Sequence, residues 1–156
     1  MADSHDNLPA IKRAVDFFRK INCTMIIHAG DFVAPFSARE LASLGCPVKA
    51  VFGNCDGEKQ GLEKALQPFG EITTAPFRFS AYNHTFLVTH LHFQLNTYLA
   101  SGRDEIIIFG HTHSPEIKKN NKTLLLNPGE TGGWLSGKST VAVLEPSTLK
   151  AEIIYL

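Results

Sequence analysis

Apolar positions along this 156-residue chain fall in short bursts whose spacing predicts alternating helices and strands. Leu8, Ile11, Val15 and Phe18 recur at helical spacing, so Leu8 to Ile21 reads as an amphipathic helix with Asn7 as its cap and Pro9 in its first turn. Cys23 to His28 is a short apolar strand, and Ser37 to Leu44 a helix that Gly45 ends in a left-handed cap. Val48 to Phe52 is again strand, and Gly61 to Phe69 helix. Phe77 to Ala81 and Thr85 to Thr89 flank Tyr82-Asn83-His84 as a hairpin. Phe93 to Ala100 is helical and Glu105 to Phe109 a buried strand. Ile117 to Leu126 folds back through Asn120-Asn121, and Thr140 to Leu144 and Ala151 to Tyr155 close the chain as strands. Strand and helix alternate through the first two-thirds, and the rest is mostly strand. That pattern predicts an α/β fold, and with no repeat or linker residues 1–156 read as a single domain.

Composition narrows the class. Fifteen basic residues cancel fifteen acidic ones, so the formal net charge is zero. That balance argues against a nucleic-acid polymer or a membrane surface as partner, and it leaves a homo-oligomer open. Hydrophobic residues at 44% and charged residues at 19% exclude a disordered chain. No apolar run reaches the roughly 18–20 residues of a membrane helix, and Met1-Ala2-Asp3-Ser4-His5 does not read as a signal peptide. Cys23, Cys46 and Cys55 show neither CxxC spacing nor an even number, which fits a reducing, cytoplasmic setting. Seven histidines in a neutral chain call for an explanation.

The chemistry gathers where apolar strands end. Ile26-Ile27-His28 runs into Ala29-Gly30-Asp31, Val51-Phe52 into Gly53-Asn54, Leu87-Val88 into Thr89-His90, and Ile107-Ile108-Phe109 into Gly110-His111-Thr112-His113. Ligands of open α/β sheets bind at the carboxyl ends of strands, so these clusters are expected to converge. Asp3 and His5 alternate, as do His111 and His113. In extended backbone, residues two apart point the same way and can address one centre. Asp3, His5, Asp31, Asn54, His90, His111 and His113 together offer seven nitrogen and oxygen donors. That mixture suits Mn, Fe, Co, Ni or Zn better than Ca or Mg. Seven donors exceed what one ion takes, so two ions sharing the carboxylate of Asp31 is the economical arrangement. Such a pair binds a phosphoryl oxygen and lowers the pKa of a bridging water, and hydroxide held between the ions would attack phosphorus in line.

Asp3-Ser4-His5-Asp6-Asn7, Gly30-Asp31, Gly53-Asn54-Cys55-Asp56, Thr89-His90 and Gly110-His111-Thr112-His113 resemble, in order, the five motifs of the calcineurin-like metallophosphoesterases. Leu126-Asn127-Pro128-Gly129-Glu130 is similar to a turn of the small one-domain archaeal and bacterial phosphodiesterases of that family. The resemblance implies a four-layer αββα sandwich of two mixed sheets flanked by helices. It implies one metal on Asp3, His5, Asp31 and His113, and a second on Asp31, Asn54, His90 and His111. Asp31, Asn54 and His90 would act on a small phosphodiester substrate. Only Met1 and Ala2 precede Asp3, so the first strand is expected to be truncated and Asp3 and His5 poorly anchored. Cys55 stands where larger relatives carry a histidine acid, which favours substrates with good leaving groups. The alternative class is a binding scaffold, since the retromer subunit shares this fold without a full ligand set.

The remaining histidines have structural readings. His28 is expected to be a satisfied core residue, His84 a turn residue, and His92 a neighbour of the centre or a helix-entry residue. Gly132 to Ser139 matches G-x-x-x-x-G-K-[ST], but Thr140-Val141-Ala142-Val143-Leu144 after it reads as strand rather than the helix a phosphate loop requires.

Overall fold

The computed structural model describes all 156 residues. Three short parallel strands, β1 (Ile26–His28), β2 (Val48–Val51) and β3 (Gly70–Thr73), form one sheet in the order β1-β2-β3. A five-stranded sheet takes β4 (Phe77–Ala81), β5 (His84–Val88), β6 (Ile106–Ile108), β7 (Glu116–Asn120) and β8 (Thr123–Asn127) in the order β4-β5-β6-β8-β7. Its β5-β6-β8 centre is parallel and its two outer strands antiparallel, so the sheet is mixed. β9 (Thr140–Glu145) and β10 (Lys150–Tyr155) pair antiparallel.

The layers follow from which faces are apolar. Helices α1 (Leu8–Lys20), α2 (Pro35–Arg39) and α3 (Lys59–Leu66) bury Ile11, Val15, Phe18, Ala38, Leu62 and Leu66 against Ile26, Val48 and Ala50. A second core, with Ala29, Val51, Phe86, Val88, Ile106, Ile108, Leu124 and Leu126, lies between the sheets. On the far face, α4 (Leu95–Ser101) covers Leu87, Ile107 and Leu125 with Leu95, Tyr98 and Leu99. The order is helices, sheet, sheet, helix: the αββα sandwich. Each large apolar side chain so removed from water contributes roughly 1.5–3 kcal/mol.

The chain start departs from expectation. Residues 1–3 carry no assigned strand, but they are held on both sides. Ala29 N–H donates to Met1 O and Asp3 N–H to Gly30 O, each at 3.0 Å, while Thr131 N–H and Gly132 N–H donate to Ala2 O and Asp3 O at 2.9 Å. The ribbon is thus laced between the end of β1 and residues 131–132, and Ala2, Asp3 and Ser4 are fully buried. Two residues suffice as an anchor because the carbonyls of Met1, Ala2 and Asp3 and the N–H groups of Met1 and Asp3 all find partners.

Other elements shift for local reasons. The predicted helix at 37–44 is two short pieces, α2 and a 3₁₀ turn over Glu40–Leu44, which Gly45 does end at φ +67°. α3 stops at Leu66 with its cap Gln67 still in helical backbone, because Pro68 has no N–H with which to continue the ladder. The 93–100 helix opens as a 3₁₀ turn over His92–Gln94 before α4. β3 has no counterpart in the apolar pattern, because Ile72 alone of Gly70–Thr73 is buried.

The loops after β1 and β2 press together at Gly53, where an added Cβ would come within 2.7 Å of Asp31 Cγ. Gly53→Ala is therefore expected to destabilise by roughly 2 kcal/mol or more in urea unfolding. A variant within about 0.5 kcal/mol of wild type would contradict this close packing.

Candidate metal centre

The loops that leave β1, β2, β5 and β6, with the buried ribbon at residues 3–5, bring the seven singled-out side chains into one contiguous cluster. His5 Nε2 lies 3.6 Å from Asp31 Oδ2 and 4.0 Å from Asp3 Oδ1. His113 Nε2 lies 3.6 Å from Asp3 Oδ1 on that side. His90 Nε2 lies 3.4 Å from Asp31 Oδ2 and 2.8 Å from Asn54 Oδ1 on the other. The His111 ring stands edge-on to His90 with centroids 5.1 Å apart.

How the pairs converge differs from expectation. Asp3 and His5 adopt φ of 51° and 41°, and His111 and His113 φ of 69° and 56°. These are left-handed residues rather than members of extended strands, and Asp31 at φ 61° joins them. For non-glycine residues such geometry costs on the order of 1–3 kcal/mol each and survives only where the surroundings impose it. Here the surroundings are sheet ends. His111 N–H donates to both oxygens of Asp3 at 3.1 and 3.2 Å, and Cys55 N–H to Asp31 Oδ1 at 2.8 Å.

Several residues without an assigned role in the sequence build the site. The buried carboxylate of Asp56 accepts the backbone N–H groups of Asp31, Val33 and Gly53 at 3.0, 2.7 and 2.7 Å. The carboxylate thus reaches back three residues to Gly53 and across to the loop after β1. Glu130, fully buried, puts Oε1 3.1 Å from His113 Nδ1, off the line of a good hydrogen bond, and takes N–H groups from Leu135 and Ser136. The loop that imitates a phosphate-binding motif thus gives these amides to an internal carboxylate, and β9, not a helix, follows it. Asn127 ties the far loop down, donating to Gly110 O and Thr112 Oγ1.

Charge states follow from burial and partners. Burial pushes Asp3 up to about 6 against the pull of His90 and His113. Burial also works against Asp31, but the His90 imidazole and the Cys55 N–H outweigh it and hold the carboxyl far below its ordinary range. His90 is desolvated yet raised by Asp31, whereas burial and the neighbouring His90 and His92 lower His111. Burial and the charge of Asp31 push the Cys55 thiol up to about 11, which makes it a poor acid–base group at neutral pH. Its sulfur still sits with His5 and Asp31 as a further candidate donor, since one donor atom from each lies within 4.8 Å of the others.

The donor set fits divalent cations. His5 Nε2 is buried without a hydrogen-bond partner. The imidazole–carboxylate separations of 3.4–3.6 Å at His5, His90 and His113 are too long for hydrogen bonds. They match two donors each about 2.1 Å from a common ion. Carboxylates and neutral imidazoles around one opening are also what borderline metals select.

His28 lies outside this set. Its ring stacks on Phe32 with centroids 3.5 Å apart, Nε2 meets Ser4 Oγ at 3.1 Å, and Nδ1 accepts Gly30 N–H at 3.2 Å. Burial holds it well below its ordinary pKa, the behaviour of a neutral, satisfied core histidine. His84 begins β5 and meets Pro146 O, and His92 opens the turn before α4 with its ring stacked on His111.

An αββα sandwich with such a donor cluster at its strand ends defines a metal-dependent phosphoesterase. Residues 1–149 match the calcineurin-like phosphoesterase superfamily domain, and the chain belongs to that family. It is 35% identical over 149 residues to a phosphodiesterase of Methanocaldococcus jannaschii, covering 93% of this chain and 90% of that one. A solved archaeal phosphodiesterase superposes with TM-score 0.95 at 33% identity, covering 100% of this chain and 97% of that chain. The Vps29 protein of Entamoeba histolytica, solved in complex with zinc, gives TM-score 0.67 at 18% identity over 92% of this chain and 88% of that chain, a likeness of fold.

The loop around Glu130 makes a pH prediction. Burial alone would raise its carboxyl, but N–H groups of Ser136 and Leu135 and the Ser136 hydroxyl lower it from 4.5 to about 2. A depressed carboxylate stabilises the fold above 4.5 and loses that contribution as pH falls towards about 2. Glu130→Gln should flatten the fall in melting temperature across that window. An unchanged acid slope in the variant would contradict this role.

Proposed function

We propose that this chain is a single-domain, cytoplasmic phosphodiesterase that holds two divalent transition-metal ions and hydrolyses small phosphodiesters. The observation that carries the reading is the double approach to one carboxylate: the Nε2 atoms of His5 and His90 flank Asp31 Oδ2 at 3.6 and 3.4 Å. Asp31 would bridge the two ions. Asp3, His5 and His113 would complete one set of ligands, and Asn54, His90 and His111 the other. Bound there, the ions would supply Lewis acidity toward a phosphoryl oxygen and a water of lowered pKa.

The chain's own groups do the rest. His90 Nδ1 is held on Ala29 O at 2.8 Å, which aims Nε2 at the shared carboxylate. Asn54 Nδ2 donates to Cys55 Sγ at 3.3 Å, and its second N–H could donate to a phosphoryl oxygen. Addition of water to phosphorus and cleavage of one P–O ester bond give a monoester and an alcohol. Cys55 keeps its proton at neutral pH and is a far weaker general acid than an imidazolium would be, so the departing alcohol gets little help from that position. Esters of acidic alcohols are therefore the better substrates.

Mn-loaded protein should hydrolyse bis(p-nitrophenyl) phosphate. Asp31→Asn should lower kcat/KM at least about a hundredfold, as loss of preorganised electrostatics does, and should release bound metal. Two ions bound without turnover would favour the scaffold reading. Full activity and metal content in the variant would overturn the ligand assignment.

A further inference from the structure

Several large apolar side chains stand in solvent, and two of them are fastened to residues of the centre. Phe93 is 70% exposed, and its ring meets the edge of His111 with centroids 5.9 Å apart. Trp134 is 64% exposed, and its indole N–H donates to His5 O at 3.0 Å. One chain of contacts through the centre joins the two. Trp134 touches His5, His5 and His90 flank Asp31, His90 meets His111, and His111 carries Phe93. Leu135, 78% exposed, extends the first end, and Leu91, 39% exposed, the second.

We propose that Phe93 and Trp134 are the specificity-determining walls of the centre and receive the flat organic groups of aryl or nucleoside phosphodiesters. The inference rests on the phosphodiesterase reading and names its substrate class. Flat rings stack well on exposed aromatic faces. The indole is already pinned by its hydrogen bond and the Phe93 ring by His92 and His111, so little freedom is lost on binding. Charge points the same way. The ionic partners of Asp3 and Asp31 are all histidines, with no Lys or Arg among them. A diester brings one negative charge for the ions to meet, whereas a polyphosphate would bring further charges with no cationic side chain paired into the centre to receive them.

Trp134 is the chain's one tryptophan, so its emission reports directly on that wall. Titration of Mn-loaded protein with diphenyl phosphate should change indole emission, and dimethyl phosphate at equal concentration should not. Phenyl p-nitrophenyl and methyl p-nitrophenyl phosphate share a leaving group and differ in the ester that remains. Wild type should prefer the phenyl ester, chiefly through KM. Phe93→Ala and Trp134→Ala should each cut that preference about three- to tenfold, while Trp134→Phe, which keeps a ring and loses the N–H, should retain most of it. Should Trp134→Ala fail to fold, Phe93→Ala alone decides.

An unchanged preference in the alanine variants, an equal loss on both esters, or an indole blind to diphenyl phosphate overturns the proposal. Self-association of wild type that Phe93→Ala relieves, in place of a ligand response, assigns the patch to a second copy and overturns it too. Turnover without aryl preference sinks the walls alone. An indole response without turnover of either ester sinks the hydrolytic reading and leaves the walls standing.

Discussion

The carboxylate of Asp31 is fixed where the loops leaving β1 and β2 press together, and the rest of the centre is arranged around it. Its backbone turns left-handed at φ 61° as the chain leaves β1. Gly53, just past β2, packs against its side chain, and the adjacent loop sends Cys55 N–H to one of its oxygens. The other oxygen is left to His5 and His90. Asp56 ties the two loops together through three backbone N–H groups, those of Asp31, Val33 and Gly53. A carboxylate locked in this way cannot swing to satisfy one imidazole at the expense of the other. That rigidity is what a bridging ligand requires.

The electrostatics of the fold follow from the same place. Asp3, Asp31 and His90 are buried, and the desolvation of such groups is costly unless partners or ions compensate. Hydrogen bonds satisfy Asp31 in part, while Asp3 is pushed up to about 6 and the buried Nε2 of His5 lacks a partner. The residual mismatch is local. A chain of zero formal charge has no broad field to offer a polyanion, and two divalent ions would concentrate positive charge at one opening. The exposed rings of Phe93 and Trp134 then supply apolar area where the charge does not reach.

Much of this was legible in the sequence, and the limits are instructive. Apolar bursts ending in Gly30-Asp31, Gly53-Asn54, Thr89-His90 and Gly110-His111 mark strand ends, because buried strands exclude polar side chains until they emerge. β3 escaped because a polar edge strand with one buried residue, Ile72, has no such contrast. The left-handed backbone at Asp3, His5, His111 and His113 was invisible, since tertiary hydrogen bonds impose it rather than residue type. Asp56 and Glu130 were missed because a carboxylate that binds backbone N–H groups looks, in sequence, like any surface acid. The anchoring of residues 1–3 came from partners 26 to 130 positions away, such as Ile27 O and Thr131 N–H, which no local pattern encodes.

Anomalous diffraction from Mn-soaked crystals tests the central claim most directly. Two peaks about 3.5–4 Å apart are expected on either side of the Asp31 carboxylate, one toward His5 and His113 and the other toward His90 and His111. A single peak, or peaks that Asp31 does not bridge, would contradict that claim.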